Sequence, residues 1–306
     1  MRAVTVAVLC TSFASADPSW FGFWDPDAPS AMSGFTNIAF CDPVANATEK
    51  PVAAGIQCLF TLEGSMMSRN ANGTRALRDD YTRVWQRIGP PLCNAIKRKR
   101  ALGFFLGDEL VNAGLWFDRL AQYAETVKSG CPQAVVYYNE GFAPIFEMGM
   151  PWAATYANVS RFYYPRVPAS IDWISFDLYP DWFSIGGARD FNRWTLFGKM
   201  AEHQRAVLVP PAYGDRANAS VTASDCDGLD CDAAMALWAT EMVSFAVSEA
   251  RVVAIFPFKW RYPAGACKKT GRRCVGAANL PKARDAWERI GRAIVGGQSF
   301  DTRRIR

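Results

Sequence analysis

The stretch Leu102-Gly103-Phe104-Phe105-Leu106-Gly107-Asp108-Glu109 reads as one apolar strand ending in two acids. Short apolar runs bounded by Gly, Pro or Asp mark buried strands, and working outward from this one the same unit recurs. Upstream lie Trp20 to Asp25, Phe35 to Cys41 and Ile56 to Glu63; downstream lie Ala134 to Glu140, Trp173 to Tyr179, Ala206 to Tyr213 and Val252 to Trp260. Segments with helical periodicity alternate with the later strands: Thr74 to Lys99, Gly114 to Lys128, Ala188 to His203, Asp232 to Ala250 and Lys282 to Val295. Strand then helix, repeated, predicts a parallel sheet with helices outside. Eight such strands predict an α/β protein built on a single (β/α)8 TIM barrel. The nine residues between Asp25 and Phe35 cannot hold a crossover helix, so the first two connections are expected to be irregular.

The 306 residues divide into an expected secretory signal (1–16), one barrel domain (17–297) and a basic tail (298–306). The signal reading rests on Met1-Arg2, the apolar run from Ala3 to Leu9 and the small residues Ala14-Ser15-Ala16. That run is too short for the roughly 20 residues of a membrane span, and no later segment reaches that length, so no span is expected. Removing Cys10 with the signal leaves eight cysteines, an even number that suits disulfides in an oxidising compartment. Close spacing suggests Cys226 with Cys231 and Cys267 with Cys274; Cys41 with Cys58 and Cys93 with Cys131 is a working pairing for the rest. Sequons at Asn46, Asn72, Asn158 and Asn218 predict a glycoprotein. The expected location is therefore extracellular or within an endomembrane lumen, and the expected state a monomer.

Alternate residues of a barrel strand face the axis and the helices. With Leu102, Phe104 and Leu106 outward, Gly103, Phe105, Gly107 and Glu109 face inward. The same rule sends Ser175, Asp177 and Tyr179 inward, and Gln57, Leu59, Thr61 and Glu63 likewise. Barrel chemistry sits at the carboxyl ends of the strands, so Glu109, Asp177 and Glu63 become candidate catalytic residues. Paired carboxylates of unlike pKa suit glycosidic cleavage, one protonating the leaving oxygen and the other stabilising or attacking the anomeric carbon. Glu109 is the expected acid. Asp25 and Glu140 also end strands, but the first strand is too short to phase and alternation leaves Glu140 between pocket and rim. Trp20, Trp24, Tyr138, Tyr179, Trp182, Tyr213, Trp260 and Tyr262 cluster at strand ends, where aromatic faces suit sugar rings. Asp108, Tyr179, Trp260, Tyr213, Asn139, Trp24 and Asn37 are the expected substrate contacts, and an oligosaccharide or polysaccharide the expected partner.

Other chemistries lack their residues. The single histidine, His203, lies before a strand, at the end of the barrel opposite the site, which disfavours Ser-His-Asp, Cys-His and histidine-metal hydrolysis. No phosphate-binding glycine loop occurs, so no nucleotide cofactor is expected, nor any metal. A net charge of +5 is mild for this length, and Lys97-Arg98-Lys99-Arg100 reads as a solvated helix end, so no nucleic-acid partner is expected. Lys259 ends the eighth strand and suits a Schiff base in a dry pocket, but alternation sets it opposite Trp260.

Leu102 to Glu109, Ser175-Phe-Asp-Leu-Tyr179 and Ile255-Phe-Pro-Phe-Lys-Trp260 together resemble the (β/α)8 glycoside hydrolases, most nearly the chitinase-like group. The resemblance implies a Glu acid at the end of strand four (Glu109), assisting acidic and Tyr residues on strand six (Asp177, Tyr179) and a Trp on strand eight flooring the sugar site (Trp260). The chain departs from that group in carrying Leu102, Phe105 and Gly107 where it has spaced aspartates. It departs from other retaining barrels in ending strand seven with Val209-Pro-Pro-Ala-Tyr-Gly-Asp215, which holds no Glu. These departures sustain an alternative, a catalytically inactive barrel that binds glycans or a secreted partner.

Overall fold

The computed structural model describes residues 17–24, 32–43, 55–70, 73–145, 163–179, 184–215, 230–261 and 274–298. The proposed signal, Asp25, all four sequons, Cys226, Cys267, Trp182, Tyr262 and nearly all of the basic tail lie outside these residues. Eight strands form one sheet: β1 (Trp20–Phe21), β2 (Ile38–Cys41), β3 (Gln57–Thr61), β4 (Ala101–Asp108), β5 (Val135–Gly141), β6 (Trp173–Asp177), β7 (Arg205–Leu208) and β8 (Val252–Ile255). Their spatial order, β1-β8-β7-β6-β5-β4-β3-β2, is chain order written around a ring, and every pairing is parallel. This is the expected TIM barrel, nearly closed.

Asn37 joins the two ends of the ring. Its backbone N–H donates to the Phe21 carbonyl at 3.0 Å, its Oδ1 accepts from the Phe21 N–H at 2.8 Å, and its Nδ2 donates to the Ser19 carbonyl at 2.9 Å. Because Asn37 precedes β2, these bonds lie at the amino ends of the strands. The expectation that Asn37 contacts substrate at the opposite mouth is thereby corrected: an amide with one acceptor and two donors suits a seam where two backbones must be stitched.

Outside the ring lie α1 (Tyr81–Lys97), α2 (Phe117–Gly130), α3 (Ile185–Asp190, continued by a π-helical stretch Phe191–Leu196), α4 (Cys231–Ser248) and α5 (Pro281–Val295). Their starts follow local chemistry. Asp230 caps α4 by accepting from the Ala233 N–H at 2.7 Å, and Pro281 opens α5, where its missing N–H costs nothing. The segment from Thr74, expected as helix, begins instead as an antiparallel hairpin of Met67–Arg69 with Arg75–Leu77. The Asn70–Gly73 turn explains it: Gly73 takes φ 84°, and its N–H donates to the Asn70 carbonyl at 2.8 Å.

Two apolar layers result. Ile38, Phe40, Leu59, Phe105, Tyr137, Trp173, Val207, Ala254 and Phe256 fill the axis, while Phe104, Leu106, Ile174, Phe176, Leu208 and Ile255 meet the helices. Cys41 and Cys58 form a disulfide between β2 and β3, as paired in sequence. Cys93 and Cys131 do not: both are buried thiols, and the Cys93 Sγ donates instead to the Gly130 carbonyl at 3.7 Å. No helix among the described residues is long and apolar enough to cross a membrane.

Candidate active site

Two register shifts in β4 decide what reaches the mouth. Cys58 pairs with Ala101 but Leu59 with Gly103, and Phe105 pairs with Tyr137 but Asp108 with Asn139. Each shift adds one residue and reverses the side-chain phase beyond it. Leu102, expected outward, accordingly packs with the barrel interior. The next inward side chain after Phe105 is Asp108 rather than Gly107. Gly107 takes φ 153°, a conformation that suits a residue without a Cβ. Glu109 follows at φ 47°, in the left-handed region that non-glycine residues rarely occupy.

From Asp108 a polar network crosses three strands. The Asn139 Nδ2 donates to Asp108 Oδ1 at 2.8 Å and to Asp177 Oδ1 at 3.0 Å, and the Asn139 Oδ1 accepts from the Ser175 hydroxyl, which pairs with the Tyr137 hydroxyl at 2.7 Å. Burial pushes the Asp108 carboxyl up to about 7, opposed by the Asn139 hydrogen bond and reinforced by the charges of Glu109 and Glu63. Asp177 is held well above the usual carboxylate range by burial first, then by the charges of Asp108 and Glu109; the Tyr179 hydroxyl donates to it. Burial also raises the carboxyl of Glu109, while Asn112, whose Nδ2 donates to Glu109 Oε2 at 3.3 Å, opposes the shift. Asp108 and Asp177 thus retain protons near neutrality.

Glu63 stands at the edge of this group with both oxygens engaged. One forms an ion pair with Arg75 of the hairpin, and the other accepts from the Asp108 N–H at 3.1 Å. It therefore fixes the backbone of Asp108. Glu140 leaves the mouth altogether: on β5, Tyr137 and Asn139 face the axis, so Tyr138 and Glu140 face the helices, and Glu140 is 0% exposed. Asn112 and Arg75 escaped the sequence reading, the first because nothing marks a loop asparagine, the second because its segment read as helix.

The expected aromatics divide. Tyr179, Tyr213 and Phe258 pack edge and face around one another at 5.7–5.8 Å between ring centroids, beside Asp177 at the carboxyl ends of β6 and β8. Trp24 lies on the axial layer, 4.7 Å from Phe40 and 4.9 Å from Phe105. Trp20 meets Trp173 at the amino end. Trp260 does not floor the mouth. It is buried against Phe23 at 4.9 Å and Phe35 at 5.2 Å in the layer under α5. Alternation fails there because the ladder ends: the Lys259 and Trp260 carbonyls turn away to accept from Ala277 and Ala278, and Phe258 becomes the last inward ring. The Lys259 Nζ lies 5.8 Å from the Phe258 ring centroid. His203 is exposed, its Nε2 donating to the Ala169 carbonyl at 3.1 Å.

Fold and site together define a (β/α)8 barrel with an acidic, aromatic-rimmed mouth. No family model and no curated protein matches the sequence. Solved structures do match in fold. A GH113 β-1,4-mannanase shares 12% identity over 93% of this chain and 99% of its own, with a TM-score of 0.53. A xylanase from Paenibacillus barcinonensis shares 11% over 90% and 96%, also at 0.53. The GH113 β-mannanase of Alicyclobacillus acidocaldarius shares 14% over 92% and 99%, at 0.51. The barrel fold is therefore shared with these structures.

Proposed function

We propose that this chain is a secreted glycoside hydrolase whose reacting groups are Glu109 and the Asp108–Asp177 pair. The observation that carries the reading is the convergence of two carboxylates, Asp108 of β4 and Asp177 of β6, on the Asn139 amide, with Glu109 following directly after Asp108. Glu109, its carboxyl raised by burial, acts in this reading as the acid that protonates the glycosidic oxygen as the C1–O bond breaks. The pair of aspartates titrates as a unit, and its ionised member stabilises the positive charge that develops at C1. Water then adds to C1 and one of its protons restores Glu109, which balances hydrolysis. Tyr179, Tyr213 and Phe258 supply faces for a sugar ring. The Cys41–Cys58 disulfide supports an oxidising compartment.

The polysaccharide follows from the test. Purified protein is incubated with β-1,4-mannan, xylan and chitin oligosaccharides, the first two acted on by the structural neighbours and the last suggested by the chitinase-like motifs, and products are separated by chromatography. Turnover is expected on one of them, with Glu109→Gln lowering kcat by about 10²–10⁴ and leaving the thermal midpoint nearly unchanged. Undiminished turnover by that variant would overturn the assignment of the acid. A second reading, a barrel that binds glycans without cleaving them, is favoured by the lack of any carboxylate in Val209-Pro-Pro-Ala212 at the end of β7. Saturable binding of an oligosaccharide with no product would establish it.

A further inference from the structure

Glu140 is a buried acid that the proposed reaction does not use. Five donors converge on its carboxylate. The Val111 N–H reaches Oε2 at 3.1 Å, the Asn112 N–H reaches Oε1 at 3.2 Å and the Gly141 N–H reaches Oε1 at 2.8 Å. The hydroxyls of Tyr138 and Tyr164 complete the set, the latter at 3.1 Å. Two of these donors belong to the turn that starts at Glu109, closed by the Ala113 N–H on the Glu109 carbonyl at 2.7 Å. The same turn carries Asn112, whose amide holds the Glu109 carboxyl. From the other side, the Glu109 N–H donates to the Asn139 carbonyl at 3.0 Å, one residue before Glu140.

We propose that Glu140 is a positioning residue for Glu109: from behind the barrel wall it clamps the 109–113 turn, keeps Glu109 in its left-handed backbone conformation and sets Asn112 against the acid. A left-handed glutamate is strained unless its surroundings enforce it, and hydrogen bonds from backbone N–H groups to a buried acceptor are costly to leave unmade. An apolar side chain at 140 would fill the same space, leave the Asn112 amide without its acceptor and leave the Val111 amide only the Tyr138 hydroxyl at 3.2 Å.

This role rests on the proposed glycosidase reading, and two readouts keep their failures apart. The first is kinetic. Glu140→Gln offers one acceptor oxygen where the carboxyl group offers two, and is expected to lower kcat by about 10–100-fold with KM within about twofold, since the rim aromatics are untouched. Asn112→Ala is expected to lower kcat as well, and the double variant to be no worse than Glu140→Gln alone, because both act through one turn. Additive losses, or unchanged kcat in a folded Glu140→Gln protein, would overturn the proposal. The second is amide hydrogen exchange at Val111 and Asn112, which needs no turnover. Faster exchange at both in Glu140→Gln, with β6 amides unchanged, supports the clamp even if no glycan is cleaved, and unaltered exchange refutes it. Should Glu140→Gln fail to fold, Tyr164→Phe removes one donor to the same carboxylate and is read in the same two ways.

Discussion

At the scale of single residues, the mouth is governed by protons held where solvent would remove them. Asp108, pushed up to about 7, binds a proton in the folded chain across a range in which an unfolded aspartate, near 3.9, has lost it. The folded state then carries more protons than the unfolded one between about pH 4 and 7, so this group's contribution is full below about 4 and is lost as pH rises through about 7. Asp177 and Glu140, both raised mainly by burial, act in the same direction. The urea midpoint is expected to fall between pH 4.5 and 7.5, and Asp108→Asn, whose oxygen can still accept from Asn139, should reduce that fall by on the order of a few kcal/mol. A wild-type midpoint that rises over the same interval would remove the assignment of retained protons. Much of this cluster was legible in sequence: Asp177 and Ser175 followed from plain alternation because β6 pairs with β5 in unbroken register. The Asp108–Asn139 pairing was not, because it depends on a bulge that alternation cannot show.

At the scale of elements, β4 shows why. Its eight residues contain two register shifts, with Gly103 beside the first and Gly107 within the second. At Gly103 the neighbouring β5 backbone comes so close that a Cβ would lie 1.9 Å from the Val135 carbonyl oxygen. Gly103→Ala must therefore separate β4 from β5, and is expected to cost about 1–3 kcal/mol or more, read as a lower denaturation midpoint. A midpoint equal to the parent's would show that the close approach is dispensable. The eighth strand fails in the opposite sense. Its apolar run continues to Trp260 in sequence, but pairing stops early, and the rings beyond it are apportioned by tertiary packing that no local pattern records. Helix positions survived better, since α4 and α5 lie within one or two residues of their expected bounds. The stretch before α1 was misjudged because one asparagine-to-glycine turn outweighs a helical period.

At the scale of the whole molecule, eight strands in chain order make a ring whose parts are unequally secured. The Cys41–Cys58 bridge spans 17 residues between neighbouring strands. Replacing both cysteines with serine is expected to cost about 2–4 kcal/mol and to leave turnover of any accepted glycan intact, because both cysteines belong to the outer apolar layer; loss of turnover without loss of stability would contradict that separation. The two-residue β1, by contrast, meets β2 through the bonds of Asn37. A hoop fastened by one catch unrolls there first, so Asn37→Ala should quicken exchange of the Phe21 amide well before those of β5. In the circular order this fastening lies diametrically across from β5, flanked by the β4 and β6 acids. The molecule can thus breathe along its hem while the chemistry across the diameter keeps its shape.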